Sequence, residues 1–189
     1  MGSPDPAALV IAALVARGEF LATAESLTGG LLGAAITAVP GASAAYLGGV
    51  VAYATAMKHS LAGVDTTLLA EVGPVSERTA TALADGVRAT TGADWAVTTT
   101  GVAGPDPQDG HLPGEVWVGL AGPSLASRAV RYDFTGDRRA VREATVTAAL
   151  ELLNGAIAGS DSRRRNNDNP RGVEAASVSY EDGQVESRP

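Results

Sequence analysis

Apolar positions along the chain switch between two periods, and the switches fall on glycine, proline and clusters of hydroxyl residues. The stretch "PAALVIAALVARG" (6–18), with Pro at its start and Gly at its end, reads as an amphipathic first helix. "EFLATA" (19–24) is a short apolar run that predicts a buried strand. "GGLLGAAITAV" (29–39) predicts a helix ended by "PGAS", and the β-branched "GGVVAYA" (48–54) predicts a strand ending at Tyr53. A pair of helices, "AMKHSLAGV" (56–64) and "TTLLAEVG" (66–73), precedes a longer one, "SERTATALADGVRATTG" (76–92), with Ser76 and Thr79 at cap positions. "DWAVTTTGVAG" (94–104) is a strand running into a glycine loop, and "GEVWVGLAG" (114–122) and "SRAVRYDFTG" (127–136) are two successive strands. The last helix, 137–159, carries Val141, Thr145, Ala148 and Leu152 on one stripe. Alternating β and α elements with a hairpin near the end predict an α/β fold, a three-layer αβα arrangement with a mixed central sheet.

From Ser160 onward apolar residues thin out, both charges mix and no period survives. A segment that buries so little surface does not offset its ordering entropy, so 160–189 is expected to be a disordered polar tail behind a single domain spanning 1–159. A chain of 189 residues suffices for one core, burying about 70% of its unfolded surface. The net charge of −7 argues against nucleic acid or an anionic membrane as partner. With no cysteine there is neither disulfide nor thiolate chemistry, and the two histidines, His59 and His111, have no ligand spacing, so no metal is expected. The apolar core of the first helix is too short and too flanked by charge for a signal peptide or membrane span, so the expected location is the cytoplasm.

Three polar junctions follow predicted strands, where ligand crevices of α/β sheets open. In "ESLTGG", Glu25, Ser26 and Thr28 stand beside Gly29 and Gly30, whose amides open the next helix and suit an oxyanion or phosphate. The lysine and spacing of a phosphate-binding Walker loop are absent. Taken alone, Ser26 reads equally as a helix cap or a nucleophile. In "VVAYATAMK", Tyr53 and Lys58 are spaced to bend toward one crevice, where a desolvated lysine or an activated phenol serves as base; each also reads as an ordinary edge aromatic or surface charge. "TTTGVAGPDPQDGHLPGEV" forces a defined loop through Gly101, Gly104 and Pro105 after Thr100, long enough to cover a pocket, with Asp106 and Asp109 as turn residues or ligands. Arg138 and Arg139 sit in the first turn of the last helix, where positive charge is disfavoured unless an anion binds.

The segments "AESLTGGLLGAAIT", "GGVVAYATAMKHSLAGV", "GPVSERTATALADG", "TTTGVAGPDPQDG" and "FTGDRRAVREATVTAALELL", in this order, resemble the carboxy-terminal domain of the CinA family, the nicotinamide mononucleotide deamidases also called PncC. The resemblance spans about 5–158. It implies an amidohydrolase that converts nicotinamide mononucleotide to nicotinic acid mononucleotide and ammonia without metal or cofactor. It further implies Ser26 as nucleophile with Tyr53 and Lys58 assisting, and Thr100, Gly101, Arg138 and Arg142 in holding the substrate, alongside Glu25, Thr28, Gly29, Gly30, Gly104 and Pro105. A homo-oligomer with a small nucleotide as ligand is expected. The chain departs from the family pattern at Leu27, where cysteine is usual, and at Glu115, where threonine is usual. The competing reading is a nucleotide-binding module without turnover, for which Tyr53 and Lys58 have less purpose.

Overall fold

The computed structural model describes residues 5–167. Helix α1 (Pro6–Arg17) is capped by the Asp5 carboxylate and closed by Gly18 in the left-handed region. It leads to β1 (Leu21–Glu25), α2 (Leu31–Thr37), a short 3-10 turn at Ala42–Ala44 and β2 (Tyr46–Val51). Helices α3 (Thr55–Ala62), α4 (Thr66–Val72) and α5 (Glu77–Thr91) precede β3 (Trp95–Gly101), β4 (Glu115–Gly122), β5 (Leu125–Asp133) and the long α6 (Arg138–Asn167). The sheet order is β2-β1-β3-β4-β5, with β2, β1 and β3 mutually parallel, β4 antiparallel to β3 and β5 antiparallel to β4, so the sheet is mixed and β4 alone runs against the rest. No helix among the described residues is long and apolar enough to cross a membrane.

Alternation along the strands divides the core in two. Leu21, Trp95, Val97, Val116, Val118 and Leu120 point to the face covered by α1, α2 and α6, where Val10, Leu14, Leu32, Ile36 and Leu153 meet them. Ala22, Ala24, Ala96 and Ala121 point to the other face, against Leu83, Ala84 and Val87 of α5. Small residues on both sides bring α5 close to the sheet: Thr98 Oγ1 donates to the Ala80 carbonyl at 3.0 Å. The abundance of alanine and glycine and the scarcity of aromatics are thus a packing requirement.

Three boundaries differ from the sequence pattern. β2 stops at Val51: the Ala52 amide makes the last bond of the parallel ladder, to the Glu25 carbonyl (2.8 Å), and Tyr53 lies two residues past the strand. Of the cap pair, Ser76 is the N-cap and accepts from the Thr79 amide at 3.1 Å, while Thr79 is buried and its hydroxyl donates to the Gly73 carbonyl. The expected break at 159/160 falls inside α6, which continues to Asn167. Ser160 belongs to the fold: it is buried, and its hydroxyl accepts from Arg17 (2.9 Å), whose guanidinium also donates to the Ile157 carbonyl (2.8 Å). A helix already propagating extends over polar residues that would not nucleate one. The remainder of the expected tail, 168–189, lies outside the described residues.

Gly86 is where α5 crosses α3, and a Cβ there would run into the Ala62 carbonyl. Alanine gains up to about 1 kcal/mol in helix propensity, but a backbone carbonyl ending α3 has little room to retreat. Gly86→Ala is expected to destabilise the fold by about 1–3 kcal/mol through overpacking, read as a lower midpoint in chemical denaturation.

Candidate active site

Glu25 ends β1 with its carboxylate turned under the next helix. Its Oε2 accepts from the amides of Gly30 (2.9 Å) and Leu32 (3.0 Å), and Oε1 from Gly33 (2.8 Å). The first turn of α2 is therefore capped by a buried carboxylate rather than by Ser26, and Gly30, the N-cap residue, supplies only backbone. The turn is held from the opposite side by Arg142 of α6, whose Nε donates to the Leu27 carbonyl (3.0 Å) and whose second nitrogen donates to the Thr28 carbonyl (2.7 Å). Thr28 is buried, its hydroxyl 2.8 Å from that of Thr99 on β3.

Ser26 is thus free of any capping duty. Its amide donates to the Thr99 carbonyl (2.9 Å), which ties the residue to the end of β3. Its Oγ accepts a hydrogen bond from Lys58 Nζ at 3.1 Å, and the same ammonium donates to the Ala52 carbonyl at 3.0 Å. Lys58 projects inward from α3 and is only 1% exposed. Among the described residues no carboxylate pairs with it, and burial brings its pKa down from 10.5 to about 8.

Ser26, Leu27, Lys58 and Thr100 share one cleft with Tyr53, Gly101, Ala103, Gly104, Asp106 and Arg138. The three junctions converge at the carboxyl ends of the strands, as the crevice rule requires. At the rim, Arg138 donates to the Gly104 carbonyl (2.8 Å) and to the Tyr53 hydroxyl (2.7 Å). Tyr53 is 57% exposed and its phenol meets Arg138, not Ser26 or Lys58. The Thr100 hydroxyl donates to the Pro74 carbonyl at 2.7 Å. Gly101 is required by space, since a Cβ would meet the Glu115 carbonyl at 2.5 Å. The loop that follows folds back through paired Gln108 and His111, with Asp109 and Gly110 at positive φ as in a two-residue hairpin turn, and this sets Asp106 and Gln108 on the cleft wall.

Several expected positions lie elsewhere. Glu25, Thr28, Gly29, Gly30, Pro105 and Arg142 do not line the cleft. Glu25 and Arg142 are committed to the turn, and the two glycine amides expected to hold an oxyanion are occupied: Gly29 donates to the Ser26 carbonyl (3.1 Å) and Gly30 to Glu25. By contrast the Leu27 and Ala103 amides, both on cleft residues, donate no hydrogen bond among the described residues. Sequence reasoning passed over them because a backbone amide carries no side-chain signal. Arg139 points away and pairs with Glu143 at 2.7 Å. Among the described residues no group of three or more His, Asp or Glu is arranged to hold a metal ion.

Residues 5–157 match the family model of the CinA C-terminal domain. The chain belongs to that family. It is 51% identical over 152 residues to a CinA-like protein of Frankia casuarinae, covering 80% of this chain and 35% of that one. A CinA-like protein of Anaeromyxobacter (strain Fw109-5) is 51% identical over 148 residues, again covering 35% of its length. The chain therefore spans about a third of the length of these curated relatives. The solved structure of a CinA superfamily protein from Klebsiella pneumoniae 700603 superposes with a TM-score of 0.79 at 34% identity, covering 84% of this chain and 99% of that one. The competence damage-inducible protein A of Klebsiella pneumoniae MGH 78578 gives 0.78 at 36% identity, with 81% and 95% covered. At the two departures noted from the CinA pattern, Leu27 is buried with the core while also bordering the cleft, and Glu115 pairs with His111 (2.9 Å) and Arg131 (3.5 Å).

Lys58 links the site to stability. Its proton is held less tightly in the folded chain than in the unfolded one. The folded state therefore carries the full cost of the buried charge below about pH 8, and stability rises with pH between about 8 and 10.5. Denaturation midpoints are expected to climb across that window, and Lys58→Met is expected to abolish this climb while remaining folded.

Proposed function

We propose that the chain is an amidohydrolase that deamidates nicotinamide mononucleotide to nicotinic acid mononucleotide and ammonia. The observation that carries this reading is the buried, carboxylate-free Lys58 hydrogen-bonded to Ser26. A structural lysine gains nothing from such a place, whereas a base needs its neutral form near operating pH. A pure binding site has no use for an amine held against a serine hydroxyl.

In the proposed reaction Ser26 Oγ attacks the carboxamide carbon and passes its proton to Lys58 Nζ. The Leu27 and Ala103 amides receive the oxyanion, in place of those of Gly29 and Gly30. The Lys58 ammonium then protonates the departing nitrogen, the C–N bond breaks, and ammonia leaves an ester on Ser26. Water attacks that ester, giving its proton to Lys58, and the collapse returns the serine hydroxyl and releases the carboxylate. Tyr53, away from Ser26 and bonded to Arg138, acts in this scheme by positioning the guanidinium rather than by carrying the proton. The cleft holds about 90 Å³, against roughly 300–1,000 Å³ for pockets that engulf a drug-sized ligand. It accommodates the ring bearing the carboxamide, and the ribose and phosphate lie toward the rim at Arg138.

Purified protein incubated with nicotinamide mononucleotide is expected to release ammonia, with kcat/KM rising about tenfold per pH unit before levelling near pH 8. Ser26→Ala should reduce turnover by roughly four orders of magnitude or more and leave the fold and nucleotide binding intact. Absence of ammonia from the parent protein, or normal turnover in the variant, would sink the proposal.

If Arg138 meets the phosphate, Arg138→Ala should raise KM for the mononucleotide roughly tenfold or more while barely altering use of the phosphate-free riboside. Equal effects on both substrates would remove the phosphate from Arg138.

A further inference from the structure

Asp106 is the one carboxylate among the residues lining the cleft. Among the described residues it makes no ion pair and no hydrogen bond. Asp109, outside the cleft, accepts only from the Gln108 side-chain amide at 3.5 Å, while Glu115 pairs with His111 and Arg131, and Asp133 with Arg131. The two cations of the cleft are committed as well, Lys58 to Ser26 and the Ala52 carbonyl, Arg138 to Tyr53 and the Gly104 carbonyl. Of these acids only Asp106 lines the cleft, and it presents an unpaired negative charge to the ligand.

We propose that Asp106 is a specificity-determining residue that selects a cationic, N-substituted pyridinium ring over the same ring in its neutral form. This rests on the amidase reading above and adds to it the electrostatic reason for preferring the oxidised nucleotide. A pyridinium approaching Ser26 also approaches Lys58, and a carboxylate on the facing loop offsets the repulsion between the two cations. Arg138 and Asp106 on one cleft then match a ligand negative at its phosphate and positive at its ring, and complementarity of this kind discriminates between ligands of equal shape. Asp106 is exposed, so the effect is screened and moderate.

The ring charge is isolated by comparing nicotinamide mononucleotide with its reduced form, which keeps the carboxamide, ribose and phosphate and loses the positive charge. Dissociation constants are measured by calorimetry in Ser26→Ala, where turnover does not interfere, with and without Asp106→Asn. Asp106→Asn is expected to weaken binding of the oxidised nucleotide by roughly two- to fivefold, to leave the reduced one unchanged, and to lose this difference at high salt. Equal weakening of both would place Asp106 on the ribose or carboxamide and overturn the proposal, as would no weakening of the oxidised form. If Ser26→Ala binds neither nucleotide, the amidase reading fails, and ring charge is read separately by titrating the parent protein with 1-methylnicotinamide and nicotinamide. A preference for the cation that Asp106→Asn removes upholds the role of Asp106, and the lack of one overturns it.

Discussion

The site depends on a carboxylate placed beneath a helix. Glu25 gathers three amides of the first turn of α2, so the charge most stabilising at a helix start is supplied by the strand that precedes it. Two consequences follow. The helix terminus is saturated from within and does not serve as an anion site, and Ser26 is released from the capping role its position suggests. Arg142 completes the constraint by satisfying the carbonyls of Leu27 and Thr28. With donors held on one side and acceptors on the other, the turn carrying Ser26 has little conformational freedom, which is what a nucleophile requires for a fixed angle of attack.

Against that fixed serine, α3 sets a lysine under tension. Its ammonium is desolvated and, among the described residues, met only by the Ser26 oxygen and the Ala52 carbonyl, so the charged form is disfavoured by burial. The cost falls on stability at neutral pH, and the same burial leaves the amine easier to deprotonate. The close packing of α5 on the sheet and of α3 on α5 leaves no space for a side chain at Gly86 or Gly119.

Much of this was legible in the sequence because punctuation and chemistry coincide. Strands end where hydroxyl residues and glycines cluster, and the strand-end rule then brings Ser26, Lys58, Thr100 and Arg138 together. The mixed sheet was legible from the alternation of periods. What the pattern did not disclose is direction. Glu25 and Arg142 carry charge at the right places, yet nothing local tells whether a carboxylate at a strand end faces a ligand or the underside of a helix; that is settled by which amides lie within reach. Composition extends the strand to Tyr53 because β-branched and aromatic character continues past Val51, while the hydrogen-bond ladder ends with the Ala52 amide. Composition alone puts Ser160 in the tail, because it does not register a tertiary bond such as the one from Arg17.

The departures at 27 and 115 show how the same geometry tolerates change. A side chain at 27 follows the serine, but the serine's anchors are backbone groups and Lys58, so the side chain at 27 is turned into the core, where an aliphatic residue packs. Position 115 begins β4 and carries the Glu115 carbonyl that receives the Val102 amide (2.9 Å). What the cleft needs from it is that backbone bond. The side chain is left to the loop, and a carboxylate there recruits His111 and Arg131, fastening the segment that holds Asp106 and Gln108 against the cleft. Outside the cleft lining, the Glu115 carboxylate thus serves to fix the loop that forms one wall of the cleft.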